Sequence, residues 1–436
     1  MFSLVCFAVI NIVMIIYWLY GSSSRGLGFP VFAGTVALAI VVPQGIAFLH
    51  QPELLPEGGF TLTMFFATLC TLAIWMGFAW GKKNPKPFGF FESDTYFNDK
   101  ILFQAAFCFT LLGSVFFIAL NHIEIERDPI TGNWTGIATI LLFFAQWLKV
   151  GFVMALYLAL KNRKRGAWIL VCIGLVFILP AIFLNGRRAD SMQFMAAILL
   201  LNWFVRHRTL PRWCFLGLIL GMIFAASVTG TYRHVMKFQD YTGLSYWERL
   251  GMVNWIDAYQ KVLEDGGGRE LLNCIHGISA ADQQMKFDCG IPLWNLIVWS
   301  FIPGQIISPA AKQALYLQVN WPLYNITYDS FPDYVPLTGS MWLGYTDAFQ
   351  SFWWFGAATF FLIAWIMGRV YSSAEKGSSG AICFYTWIFN FALHIIPALT
   401  FVFWTNLIYW LVFCMPFLFL LQKCNQSKCS VEVRNP

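Results

Sequence analysis

Charge is what this sequence has least of. Asp, Glu, Lys and Arg make up 11% of its 436 residues, about half the share found in ordinary soluble domains. With 58% hydrophobic and 18% aromatic residues, the chain carries more apolar surface than a water-soluble core can absorb. Nucleotide chemistry also lacks its parts. No G-x-x-x-x-G-K-[ST] occurs, and Gly266-Gly267-Gly268 leads into Arg269 rather than Lys-Ser, so ATP-driven transport by this chain alone is unsupported. Neither H-E-x-x-H nor G-x-S-x-G is present, which removes the commonest hydrolase signals. Internal repeats and low-complexity segments are missing too. The eleven cysteines lie mostly in apolar runs, where a thiol behaves as a small hydrophobe. Cys424 and Cys429 have no histidine partner for zinc. Glu124 and Glu126 beside His122 read equally as a solvated acidic loop or as a divalent-ion site.

What is present is a series of long apolar runs. They lie at roughly 2–20, 27–49, 60–80, 101–121, 137–160, 167–185, 191–205, 213–230, 349–370, 381–401 and 403–421. A spanning helix needs about 20 apolar residues, so the chain reads as an all-α, polytopic helical membrane protein with about eleven transmembrane helices. Residues 1–230 form an N-terminal bundle of about eight spans, 231–348 a large external loop with interfacial helices, and 349–436 the last spans and a cytoplasmic tail. The run from 191 is short, and the last two suit a re-entrant pair. The first run lacks a basic flank and a cleavage site, so it reads as a retained span with no soluble domain before it.

Orientation follows from the basic residues of short loops. Lys161, Arg163, Lys164 and Arg165 mark one cytoplasmic loop; Arg206, Arg208 and Arg212 mark another. Lys82, Lys83, Lys86 and Lys100, then Arg369, Lys423 and Lys428, agree by alternation. The acid-rich loops at Glu53/Glu57 and Glu124/Glu126/Asp128 fall on the other side. The N-terminus is therefore expected outside and the C-terminus inside. The net charge of +6 needs no nucleic acid to explain it, since loop cations account for the excess.

The stretch 231–348 opens with amphipathic text around Trp247, Leu250, Val253 and Ile256, and later carries an apolar patch from Leu293 to Ile302. That patch is too short to cross a membrane and is expected to lie in the interface or dip into the bundle. Cys274 and Cys289 fall in this external stretch, where they are equally open to bridging or to remaining free.

The sharpest anomaly is Asn185-Gly186-Arg187-Arg188-Ala189-Asp190. Two arginines on an external turn oppose the positive-inside bias, and the helix dipole that follows disfavours cations. An anion docked between the arginines and the helix end resolves both conflicts; snorkelling to lipid phosphates is the plainer alternative. Asp190 with Gln193 resembles a capping box. Tyr232-Arg233-His234 and Lys237 follow the 213–230 run on the same face and can converge with Arg187 and Arg188 into a basic pocket suited to a diphosphate. Thr338-Gly339-Ser340 and Tyr345 to Asp347 open the next span, where an acid at membrane depth stands out against a mere aromatic belt.

Gly186-Arg187-Arg188, Tyr232-Arg233, the Phe301-Ile302-Pro303 turn, Thr338-Gly339-Ser340 and the later Phe355-Gly356 together resemble the Wzy-type polymerases, which join oligosaccharide repeat units into bacterial O-antigens, capsules and exopolysaccharides. The resemblance covers about 185–356; elsewhere it is one of hydropathy. It implies a large external loop late in the bundle and transfer of a growing glycan from undecaprenyl diphosphate onto a lipid-linked repeat, in the bacterial inner membrane. Beyond the lipid-linked oligosaccharide and the bilayer, it implies a chain-length regulator and a flippase as partners. No cofactor, metal or nucleotide is called for. Two departures stand out. Gly304-Gln305 replaces an expected arginine, with Lys312 the nearest cation, and Gly344-Tyr345 replaces an expected Gly-Glu, passing the acidic role to Asp347.

The residues suit this reaction independently. Arg187, Arg188 and Arg233, with Lys237, Lys312 and Tyr345, are the expected diphosphate and glycan contacts, and His234 or Asp347 the expected base for the acceptor hydroxyl. The rival is a glycan or lipid flippase, which would bury charge near the bilayer midplane. A membrane acyltransferase would want a histidine within a span; His394 is the candidate, and it reads as packed or polar-paired. A reporter fused after Arg165 should read cytoplasmic and one fused near Gly267 external; the same side for both would show the span count between them to be wrong.

Overall fold

In hydrocarbon a backbone N–H or C=O has no water to pair with, so an apolar chain satisfies these groups inside helices. The computed structural model describes residues 1–21, 28–83, 98–124, 136–183, 188–206, 246–254, 256–257, 260, 269–302, 307–336 and 342–432. It is all-α, with no strand among the described residues. Among the described residues, seven helical stretches, some of them interrupted, are long and apolar enough to cross a membrane, and shorter apolar helices accompany them.

The first part holds α1 (Phe2–Gly21), α2 (Phe29–Leu49), α3 (Gly59–Lys83), α4 (Asp99–Asn121), α5 (Ile137–Ala145), α6 (Trp147–Asn162), α7 (Arg165–Phe183) and α8 (Arg188–Arg206). Then come α9 (Tyr246–Gly251), α10 (Glu270–Gln284), α11 (Ile291–Phe301), α12 (Pro309–Leu315) and α13 (Leu323–Ser330). The last part holds α14 (Gly344–Phe352), α15 (Ala357–Glu375), α16 (Ser379–Leu393), α17 (Phe401–Tyr409) and α18 (Met415–Glu432). The expected run at 213–230 lies outside the described residues.

Several runs that read as continuous are interrupted. Helices α5 and α6 break at Gln146. The expected 349–370 span starts earlier, at Gly344, and turns through a 3-10 segment, Trp353–Gly356, between α14 and α15. Trp353 takes φ 53°, and a Cβ on Gly356 would stand 2.1 Å from the Ala348 carbonyl oxygen, so only glycine fits where the chain folds back on α14. Helix α16 stops at Leu393, leaving 394–400 non-helical, and a π segment at Trp410–Cys414 joins α17 to α18. These breaks sit inside the bundle, where neighbouring protein can satisfy freed backbone groups.

Close approach of backbones fixes the bundle. On α3 a Cβ at Gly77 would lie 2.3 Å from Phe361 O, and one at Gly81 2.2 Å from Trp365 O; on α15 a Cβ at Gly368 would lie 2.3 Å from Phe78 O. The spacing of four puts these small residues on one face, as in small-xxx-small seams of membrane helices. A second seam joins α4 to α6, where Gly113 faces Leu148 N at 2.3 Å and Gly151 faces Thr110 N at 2.6 Å from the position of an added Cβ.

Among the described residues, the basic helix ends at Lys82 and Lys161 are tied in by ion pairs. Lys82 pairs with Glu375 at 3.0 Å, and Lys161 with Asp99 at 2.9 Å. Tyr157 and Ser379 share a hydroxyl hydrogen bond of 2.7 Å, and Phe204 packs on Tyr371 and Tyr385. Lys82 closes the C-terminus of α3 and Asp99 opens α4, each with the sign its helix dipole favours.

At the other end α10 is docked by Gln44, which donates to Glu270 and accepts from Leu271 N at 2.7 Å. Its residues Leu271 to Ala281 are all buried. Helix α13 covers it through Gln284, whose amide donates to Ile326 O and to Ser330. The short helix α11 touches the bundle at its C-terminal end, where Phe301 packs on Phe143 and Phe413, while Trp294 and Trp299 stay exposed. Cys274 is buried in α10 and Cys289 exposed beyond it; both are free thiols, so the bridge left open by the sequence is not formed.

Overpacking at a backbone contact costs about 1–3 kcal/mol or more. Gly77→Val or Gly368→Val should therefore lower the melting temperature of the purified protein, whereas Gly251→Ala, with nothing within 4 Å of its Cβ position, should leave it unchanged.

Candidate functional site

The seam between α4 and α6 closes one face of α6 and turns Lys149, Phe152 and Val153 toward α8. Lys149 thus sits well inside the apolar span Ile137–Asn162, where a lone charge is costly. It is not alone. Its ammonium donates to the carboxylate of Asp190, with side-chain exposures of 36% and 8%. Asp190 lies in the first turn of α8, where the dipole favours an acid. Helix α8 begins at Arg188, so Asp190 is inside the helix with its carboxylate engaged by Lys149. The capping box expected from Asp190 and Gln193 is corrected accordingly. Gln193 is 7% exposed, and its Nε2 has no acceptor. Lys149, Asp190 and Gln193 line a small cavity walled by Phe152, Ile178 and Phe194.

His394 starts the non-helical segment 394–400. Its Nδ1 bonds to the Asn390 carbonyl oxygen at 2.7 Å, and it lies in the field of Lys149 and Asp190. It is polar-paired, as its setting in the sequence implies. The other end of the same segment is held by Asp347. Thr400 donates to that carboxylate from its backbone N–H, at 3.0 and 3.2 Å to the two oxygens, and from its hydroxyl. Gly344 N donates to Ile396 O at 3.2 Å, and a Cβ there would collide with Ile395 O at 1.9 Å. The start of α14 is thereby locked against 394–400.

The expected site residues fare unevenly. Asp347 is 4% exposed with both carboxylate oxygens bonded to Thr400, an arrangement that caps α17 and offers no access to an acceptor hydroxyl. Tyr345 is 1% exposed and stacks on Phe360 at 5.5 Å, packed in the core and not presented to a glycan. Lys312 donates to Trp299 O at 3.2 Å, tying α12 to α11, and partial burial pulls its pKa down. No contact brings it to Asp347 or to the α8 end. Arg188 is the first residue of α8. Arg187, Arg233, His234 and Lys237 lie outside the described residues.

No protein-family model, curated protein or solved structure matches this chain. The chemistry must therefore be read from the geometry alone. Among the described residues no group of His, Cys, Asp or Glu is placed to hold a metal ion. The polar seam formed by Lys149, Asp190, Gln193 and His394 can bind and orient a polar group beside the first turn of α8. Its central member, Lys149, escaped the sequence analysis. The signal was there, a single Lys three residues after Gln146 inside an apolar run, and an ionisable residue in such a run is a functional candidate by default.

A second polar cluster lies in the end layer. His276 stacks on Tyr334 at 3.6 Å, its Nδ1 bonds to Leu272 O at 3.0 Å, and the Tyr334 hydroxyl donates to Asn273. Burial pushes the imidazole of His276 below its ordinary pKa. The proton therefore favours the opened form. This packing should be complete above the unfolded value of about 6.5 and should weaken as pH falls below it. Amide exchange in α13 and through Tyr334, corrected for intrinsic rate, should speed up at low pH, and His276→Phe should remove that dependence.

Proposed function

We propose that this chain is a glycan polymerase of the bacterial inner membrane. It transfers a growing oligosaccharide from a polyprenyl diphosphate carrier onto a lipid-linked repeat unit, at the face opposite the basic end. The observation that carries this reading is the start of α8. A helix of this length beginning at Arg188 directs the positive end of its dipole toward Gly186-Arg187-Arg188. The nearest acid, Asp190, is already engaged by Lys149. An anion at that end is favoured by the helix and by the arginines together. Loss of the lipid diphosphate needs that kind of fixed positive environment, because negative charge develops on the leaving group. The N-terminus is placed outside and the C-terminus in the cytoplasm by the positive-inside bias.

The second reading, a lipid-linked glycan transporter, gains one observation. The breaks at Gln146 and 394–400, with a charge pair between them, resemble the interrupted helices around transporter sites.

Arg187→Ala or Arg188→Ala should each cost about 1.5–3 kcal/mol, or one to two decades of polymerisation rate, at unchanged protein level. Lys should rescue poorly, since one ammonium does not reproduce paired guanidinium donors. The measurement is polymer formed from lipid-linked repeats by purified protein at matched amounts. Full activity of the double Ala variant would rule the arginines out, and transport without polymer would favour the second reading.

A further inference from the structure

Helix α11 is too short to span a bilayer, and of its residues only Val298 is buried. It is clasped instead to α12 and the residues just after it. Trp294 Nε1 donates to Leu315 O at 2.9 Å, Asn295 Nδ2 donates to Leu317 O at 2.8 Å, and Leu317 N donates back to Asn295 Oδ1 at 2.9 Å. Lys312 joins the clasp through Trp299 O. These polar groups are turned inward onto the facing backbone, while Trp294, Trp299, Ile307, Leu315 and Leu317 stay exposed. Water selects the reverse arrangement; a medium without hydrogen-bond partners requires this one. Lys312 and the exposed Gln313 give α12 a single polar edge.

Two further observations identify that medium as lipid. From Cys289 to Tyr328 the only charged side chain is Lys312, so the hairpin has no acid to repel anionic headgroups and one cation to meet them. At the end of α11, Phe301 packs on Phe143 at 5.7 Å and on Phe413 at 6.2 Å, residues of the apolar spans Ile137–Asn162 and Phe401–Lys423. Phe143 lies in α5, which starts at Ile137, and a rise of about 1.5 Å per residue puts it about 9 Å past the start of that span. Helices that lie in the membrane interface bury their apolar faces to about 5–10 Å.

We propose that α11, α12 and the residues through Leu317 form a hairpin docked in the bilayer interface, at the end of the bundle away from Lys161, with its exposed tryptophans and leucines set among the lipids. The chain enters this hairpin from α10 and leaves it for α13, so it holds the end layer at headgroup depth. It stands beside either reading of the function and depends on neither.

Spin labelling of the full chain in nanodiscs of phosphatidylethanolamine and phosphatidylglycerol tests this. Trp299→Cys and Leu317→Cys carry the probes, and Tyr328→Cys, at an exposed position of α13, is the aqueous reference. The parent protein, labelled in parallel, supplies the background from the native cysteines. Each probe replaces an exposed side chain, and the clasp uses the backbone at both positions, so the hairpin is retained. Dissolved oxygen concentrates in lipid, whereas a water-soluble nickel chelate is excluded from it. Relative to the reference, both probes should therefore favour collisions with oxygen over the chelate several-fold. Chelate access at either probe equal to that at position 328 would overturn the proposal and put the hairpin in water. Shielding of either probe from both reagents would also overturn it, because protein, such as a second copy of the chain, would then cover the face in place of lipid.

Discussion

The contact between Asp347 and Thr400 governs how the interrupted part of the bundle is arranged. A carboxylate buried in a span is tolerable only when its lone pairs are met, and Thr400 meets them with a backbone N–H and a hydroxyl. That fixes the start of α17 against α14. Gly344, pressed on Ile395 and bonded to Ile396, fixes the opposite side of the same turn. With both ends of 394–400 held, His394 at its start bonds to Asn390 O and lies in the field of Lys149 and Asp190. An acid that reads as a general base in the sequence thus contributes by shaping the backbone that frames the polar seam.

The glycine contacts explain which elements move together. With no hydrophobic drive between helices in lipid, packing depends on how closely backbones approach. Helix α3 meets α15, and α4 meets α6, at distances a single methyl would forbid. The seam between α6 and α8 has no such glycine among the described contacts. It is held by an ion pair and surrounds a cavity. Of the interfaces bordering Lys149, this is the one where a side chain can shift without breaking a backbone contact.

The helices were legible because the bilayer sets their length: the runs ending at Leu49, Asn121 and Asn162 differ from the expected bounds by no more than a few residues. Their interruptions were not. Gln146 carries no proline or glycine signal, and Trp353 takes a left-handed φ that an aromatic residue does not advertise. Helix α10 was hidden because it is buried on every side while mixing Asn273, His276 and Ser279 with Leu271 and Ile275, so no single stripe marks it. At the site, a helix start near Asp190 could be read from the chain. The partner of Asp190 could not, because an ion pair across 41 residues leaves no periodicity behind.

The Lys149–Asp190 pair itself bears on what the protein does. Asp190 is buried while the Lys149 side chain is 36% exposed, so the pair joins a buried carboxylate to a lysine that still reaches the edge of the bundle. A transporter would need the whole α6–α8 boundary to open wide enough for a glycan. Here Phe152 and Phe194 pack across that boundary at 6.1 Å between ring centroids, and α6 is sealed to α4 behind it. A boundary closed in this way supports the proposed polymerase over the transporter reading.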